Sequence, residues 1–196
     1  MKNTATTSTS FESTLSRLRP ATVGPLPWAF LDEFRQPGLP GAAPIPADGR
    51  PTFSGQWPNL TELFRITTWR FGDRPCFTVY EPDRISLTFT QVLARCQSLA
   101  AHLRSLGIQA GDRIALSGKN SPEWALSYLA ILFADAVVVP IDMVLSQAEM
   151  LNLCVASQAR ILIADADKLA ALDAVPQESA KFLALFSLEP SRPAYV

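Results

Sequence analysis

The residues that could carry chemistry are few, and most of them stand apart from one another. Gly118-Lys119-Asn120-Ser121 follows an apolar run and precedes a helix-like stretch. That is the place where an α/β protein can bind an anion, because backbone amides and the positive end of a helix converge there. A single glycine does not make a phosphate cradle, however, and neither G-x-G-x-x-G nor G-x-x-x-x-G-K-[ST] occurs in the chain. The residues alone therefore read this as a structural crossing loop. Ser117 and Ser121 have no identifiable base, so a serine nucleophile is unsupported. His102 is the only histidine and falls beside an apolar helical stripe, where a partly exposed histidine without a catalytic partner is expected. The acidic residues are scattered, with no pair tied by spacing to a histidine or a nucleophile. Cys76, Cys96 and Cys154 lack metal-ligand spacing, and three is an odd number for a disulfide framework, so they are expected to be reduced core residues of a cytoplasmic protein. The residues thus assign no catalytic position and no metal ligand, and leave cofactor-binding positions unknown.

The elements that would position such residues are better defined. Arg113 to Ser117 is a short apolar run after Gly111-Asp112 and suits a strand. Ser121 is placed to cap a helix, with Pro122 at its first position and Glu123 near its positive end. That helix, 122–134, carries Trp124, Leu126, Tyr128, Leu129, Ile131, Leu132 and Phe133, which leaves no polar face and predicts burial on most sides. Ala136 to Val139, closed by Pro140, reads as a strand buried on both faces of a parallel sheet. Upstream, Asn59 to Phe71 has Leu60, Leu63, Phe64 and Thr67 at helical spacing and stops at Gly72. Cys76 to Tyr80 and Ile85 to Phe89 form a hairpin-like pair. Thr90 is read as the cap of a helix whose buried stripe is Val92, Leu93, Cys96, Leu99, Ala100, Leu103 and Leu106, ended by Gly107. Downstream, Ser146 and Glu149 have capping-box spacing, the helix they open runs to about Ala156, and Arg160 to Ala164 is the next strand. A short helix within 165–174 and a strand-like run at 181–186 follow. Strands begin about 22–24 residues apart, the rhythm of strand–helix–strand repeats. The expected fold is α/β: a mainly parallel sheet with helices on both faces plus a β-hairpin.

Composition bounds the function. Hydrophobic residues make up 48% and charged residues 18%, enough apolar matter for one domain with a core. With a net charge of −1 there is no basic field for nucleic acid or anionic lipid, so no nucleic-acid partner is expected. No apolar run reaches the roughly 18 residues of a membrane span. Met1 to Ser16 is rich in Ser and Thr, and only Arg17 and Arg19 would support an organelle transit peptide. Pro20 to Pro58 is proline-dense. Within it Trp28 to Phe34 groups large apolar side chains, either pinned onto the chain's own body or offered as a docking segment. The division expected is 1–58 as an N-terminal extension, 59–186 as the α/β unit, and 187–196 as a linker.

The order of motifs adds a resemblance. Ser86-Leu87-Thr88-Phe89-Thr90-Gln91-Val92 resembles the "LTY-x-EL" segment of the adenylate-forming (AMP-binding) enzymes. Leu99 to Leu103, Leu106-Gly107-Ile108 and Ala110 to Ala115 look like their "LA-x-x-L-x-x-x-GV-x-x-GDRVA". Asn120 to Trp124 and Ala136 to Asp142 look like their "NSPEW" and "AVVVPL". The resemblance runs from Asn59 to Phe186 and leaves Pro20 to Trp57 uncovered. Its flavour is that of the acyl-CoA synthetases, including those acting on long-chain fatty acids. It implies the N-terminal subdomain of an enzyme that activates a carboxylic acid with ATP and magnesium as an acyl-adenylate, then transfers the acyl group to coenzyme A. The family's phosphate loop, its acidic magnesium ligand, its ribose-binding aspartate and its catalytic lysine match nothing here, so no catalytic residue is carried over. The resemblance implies a chain inactive alone, whose partner is the remainder of the same enzyme. The alternative is a non-catalytic binding module that kept the fold and docks through 28–34. A complete small nucleotide-binding domain of another family is disfavoured by the missing glycine fingerprint. One departure is Asp135, where the family usually has glycine. A left-handed residue there would cost an aspartate about 1 kcal/mol.

Overall fold

The computed structural model describes residues 31, 34–36, 49–55, 57–80, 84–170 and 182–188. Helix α1, Leu60–Phe71, opens on a capping box in which Asn59 and Glu62 exchange side-chain-to-amide hydrogen bonds of 2.8 Å each. Strands β1, Pro75–Val79, and β2, Ile85–Thr88, pair antiparallel as the expected hairpin, a sheet of their own. Helix α2, Phe89–Ser105, follows at once. Its cap is Thr88, not Thr90. The Thr88-x-x-Gln91 spacing makes a reciprocal capping box, so the helix begins two residues earlier than a Thr90 cap would give. Its buried positions, Val92, Cys96, Ala100 and Leu103, are those of the predicted stripe. Gly107 then takes φ +91°, which a side chain would strain.

The main sheet has four parallel strands in the order β4-β3-β5-β6: β3 is Arg113–Ser117, β4 Val137–Ile141, β5 Ile161–Ala164 and β6 Ala184–Ser187. Helix α3, Pro122–Phe133, links β3 to β4. Helix α4, Gln147–Ser157, links β4 to β5, and the short helix α5, Ala166–Ala170, follows β5. Period-two alternation divides the central strands between two cores. Ile114, Leu116, Ile161 and Ile163 pack with α2 and α3 on one face. Ala115, Leu162 and Ala164 pack with Met150 and Cys154 of α4 on the other. Each such Ile or Leu contributes about 1.5–3 kcal/mol by leaving water. Every residue of α3 is buried or half-buried, as its lack of a polar face predicts.

Two expectations need correction. The valine-rich run at 136–140 is not a strand covered on both faces. β4 lies at the sheet edge, runs on to Ile141, and leaves Val137 47% exposed. An edge is also where Pro140 fits, since a proline has no amide to give to a neighbour. In α1 the inward positions are Ile66 and Thr68, whereas Leu60 is 46% exposed. The helix is wedged between two cores, so it has no single stripe. Phe64 reaches the main core, 5.9 Å from the Phe89 ring. Leu63 and Ile66 turn to a small separate core with Leu31, Phe34 and Phe53. Backbone hydrogen bonds from Gln36 to Phe53 and from Phe53 to Phe34 fasten that segment. Leu31 and Phe34 are therefore pinned onto the chain's own body, and neither is offered to a partner. Trp28 and Phe30 lie outside the described residues, as do 1–30 in general and the helix residues expected beyond Ala170.

Candidate functional site

In an open parallel sheet, ligands collect outside the carboxyl ends of adjacent strands whose following helices go to opposite faces. β3 and β5 are such a pair. β3 leads into α3 on the α2 side, and β5 leads into α5, whose Leu169 packs on the α4 side. The crevice between them is edged by Gly118-Lys119-Asn120-Ser121 and by Asp165, which brings the one loop singled out in the sequence to the topologically expected place.

The geometry there is closed. Asp165 Oδ2 accepts the Lys119 amide at 3.0 Å. A Cβ at Gly118 would stand 2.8 Å from Asp165 Oδ1 and 2.4 Å from Leu188 Cδ1, so a side chain there would have to push both aside. Ser121 Oγ accepts the Trp124 amide at 3.1 Å and is committed to capping α3. The anion at the Lys119 amide is thus the chain's own Asp165 carboxylate. Lys119 and Asn120 are exposed at the rim. Neighbouring loops are held in the same way: Asp142 Oδ1 accepts the Val144 amide at 3.0 Å, and Lys168 Nζ donates to the Leu145 carbonyl at 2.8 Å. Ser117 is buried beside this crevice with its Oγ unpaired among the described residues.

The other candidates are dispersed. His102 is exposed near the end of α2, its ring edge-on to Phe186 at 5.8 Å. Cys96 and Cys154 are buried in different cores and Cys76 is half-buried; all three are free thiols. Burial pushes the Cys96 thiol up to about 12, helped by nearby Cys76, and that of Cys154 up to about 11, the reverse of what a nucleophile needs. Among the described residues no three His, Cys, Asp or Glu side chains cluster as metal ligands, and no helix is long and apolar enough to cross a membrane. Asp165 was missed in the sequence. It lies 46 residues from Lys119, and no local pattern links them.

At the opposite end of the sheet the contacts are also structural. Arg160 Nη1 donates to the Gly107 carbonyl at 3.0 Å and pairs with Asp112 Oδ2. The Gln109 amide, above all, and then Arg160 hold the Asp112 carboxyl below the usual range. Asp135 adopts the left-handed conformation expected of it, with φ +60°. Its carbonyl accepts the Gly111 amide at 2.9 Å and its carboxylate lies 3.5 Å from Arg104.

Comparison with known proteins places this arrangement. The profile of a family described as AMP-binding enzyme matches residues 64–192. The L-proline--[L-prolyl-carrier protein] ligase of Streptomyces coelicolor is 36% identical over 89 residues, covering 45% of this chain and 16% of the relative. The long-chain-fatty-acid--CoA ligase of Bacillus subtilis is 32% identical over 91 residues, 46% of this chain and 16% of that one. The chain thus spans about a sixth of the length of these relatives. Among solved structures, the Klebsiella oxytoca NpsA N-terminal subdomain in complex with 3-hydroxybenzoyl-AMSN superposes with a TM-score of 0.54 at 26% identity, covering 64% of this chain and 30% of that one. A Mycobacterium tuberculosis fatty acyl CoA synthetase gives a TM-score of 0.60 at 23% identity, over 66% of this chain and 26% of its own, a likeness of fold.

Proposed function

The chain belongs to the AMP-binding enzyme family, with the fold of the N-terminal subdomain of adenylate-forming ligases, and from this premise we propose that it serves an ATP-dependent acid–thiol ligase of the acyl-CoA synthetase type. In that reading the parent enzyme activates a carboxylic acid, a fatty acid by preference, as an acyl-adenylate and passes the acyl group to coenzyme A in the cytoplasm. ATP and magnesium supply the activation when bound, and the groups that hold them come from the remainder of the same enzyme.

One observation carries the division of labour. The crevice at the β3 and β5 ends, where this fold would receive a phosphate, is filled by the chain's own Asp165 carboxylate on the Lys119 amide. Charge stabilisation at a phosphate needs preorganised donors, and here the donor is already satisfied. The chain's part is then to hold the sheet and its α3 layer rigid against the remainder. Exposed apolar side chains support this. Leu183, just before β6, and Leu185 within it are 48% and 43% exposed, and Leu185 stands beside buried Leu162 in the sheet. Such a face favours association at about 25 cal/mol per Å² covered.

The test is complementation. The chain and the separately produced remainder are mixed, and ATP–pyrophosphate exchange is followed with a panel of carboxylic acids. Exchange that appears only on mixing, together with co-elution of the two pieces, is expected. Two folded pieces that neither associate nor acquire exchange would sink the proposal and favour a stand-alone binding module.

A further inference from the structure

The Asn-capped helix α1 carries a second feature that the ligase reading does not use. Arg65, Trp69 and Asp73 follow one another at four-residue spacing along its outer face and into the turn after it, and Arg70 and Arg74 run beside them. These side chains are exposed. They border an open groove of about 970 Å³ between α1, the turn at Gly72–Arg74, the flank of α2, and residues Gly49 and Pro51 of the N-terminal extension. The extension is held there by the small core of Leu31, Phe34, Phe53 and Ile66, so that segment supplies one wall of the groove. Its outer wall lies before residue 64, ahead of the part matched by the family.

The groove is built on fixed backbone. The Arg74 amide donates to the Phe71 carbonyl at 2.8 Å, and its own carbonyl accepts the Phe89 amide at 3.1 Å. Gly72 is pressed so closely on Thr90 that a Cβ would stand 2.6 Å from Thr90 Oγ1. From this base Arg74 and Arg70 both lie over the Phe71 ring, 4.8 and 5.5 Å from its centroid, and Arg65 lies over Phe133 at 5.3 Å. Two guanidinium groups are thus gathered about one ring, although the chain as a whole has a net charge of −1. Arg65 and Arg74 make no ion pair among the described residues, so aromatic faces orient them and leave their N–H forks for another acceptor. Trp69, 48% exposed, offers a flat apolar surface alongside.

We propose that this groove is a binding site for a flat-ringed, phosphate-bearing small molecule, its phosphate taken by Arg65 and Arg74 and its ring laid against Trp69. Guanidinium forks match phosphate oxygens in pairs, and the volume is at the upper end of the range of small-molecule sites. The site is distinct from the β3–β5 crevice, whose donor is occupied by Asp165.

The experiment is calorimetric titration of the whole chain with ADP, without metal, alongside adenosine and inorganic tripolyphosphate. ADP is expected to bind saturably, and adenosine to bind more weakly because it lacks the phosphate. The double variant Arg65→Gln with Arg74→Gln should weaken ADP and tripolyphosphate about tenfold or more, as loss of charge-assisted hydrogen bonds requires. Trp69→Ala should weaken ADP several-fold and leave tripolyphosphate unchanged. Circular dichroism verifies that each variant is folded, which is expected because all three side chains are on the surface. Absence of saturable ADP binding up to millimolar concentration would overturn the proposal. So would ADP binding that is indifferent to the arginine pair, or that is lost instead in Asp165→Asn. Co-sedimentation with phosphatidylserine vesicles in place of ADP binding would overturn it as a small-molecule site.

Discussion

Gly118→Ala is the sharpest test of the closed crevice. The added methyl would stand 2.4 Å from Leu188 Cδ1, against the ~3.5–4.0 Å at which two carbons rest. Leu188 is only 5% exposed and belongs to the main core, so turning its Cδ1 aside disturbs the packing around it. The same methyl would stand 2.8 Å from Asp165 Oδ1, and moving that carboxylate breaks its 3.0 Å bond to the Lys119 amide. Overpacking costs about 1–3 kcal/mol, and a partly solvated hydrogen bond adds about 1 kcal/mol. A net loss of about 3 kcal/mol corresponds to a drop in Tm of about 6–12 °C for a chain of this size. Urea unfolding should show a lower midpoint at unchanged slope. A double-mutant cycle with Asp165→Ala isolates the contact. Once the carboxylate is gone, Gly118→Ala should cost about 1 kcal/mol less than in the parent. A Tm within 2 °C of the parent, or strict additivity in the cycle, would refute the reasoning.

Three further predictions follow from particular residues. Asp135→Gly removes a left-handed aspartate worth about 1 kcal/mol and an exposed Arg104 pair worth about 0–1 kcal/mol, so thermal unfolding should show a chain as stable as the parent or up to about 1 kcal/mol more stable; a loss above 1 kcal/mol would contradict this. The Asp112 carboxyl is held below its ordinary range in the fold, so its contribution to stability is present above the unfolded-state pKa and is lost as pH falls through the lower folded value. Asp112→Asn should flatten the acid limb of stability against pH, and an unchanged limb would count against the Gln109 and Arg160 contacts. Burial pushes the Cys96 and Cys154 thiols up to about 12 and about 11, so their contribution is intact below the ordinary thiol range and fades as pH rises through those values. A thiol reagent at neutral pH should accordingly label half-buried Cys76 first, and the other two only on unfolding; prompt labelling of all three would show the cores to be open.

Much of the framework was legible because its signals are local. Ser121-Pro122-Glu123 announces α3, Ser146 and Glu149 announce α4, and the run Arg113 to Ser117 is β3 residue for residue. Sheet position was harder, because a run of valines looks the same at an edge as in the middle. Only the chain's return to the far side of β3 leaves Val137 and Pro140 outermost. The stripe of α1 was misread because Phe34 and Phe53, distant in sequence, give Ile66 a second core to enter. Long-range closure was hidden altogether. Nothing near Gly118 announces that Asp165 and Leu188 press on it, nor does anything near Arg65 announce that Gly49 and Pro51 wall it in. The loop at 118–121 was recognised in the right place, and its occupation by a carboxylate decided its role.

In the proposed function this chain contributes an adenylate-forming ligase framework and not its phosphate chemistry. The most direct measurement is pyrophosphate release by the purified chain alone, with ATP, magnesium and a panel of short-, medium- and long-chain carboxylic acids. No release above a matched blank is predicted for any acid. Turnover that persists through repurification and exceeds the blank would contradict this, because the chain would then carry working phosphate chemistry of its own.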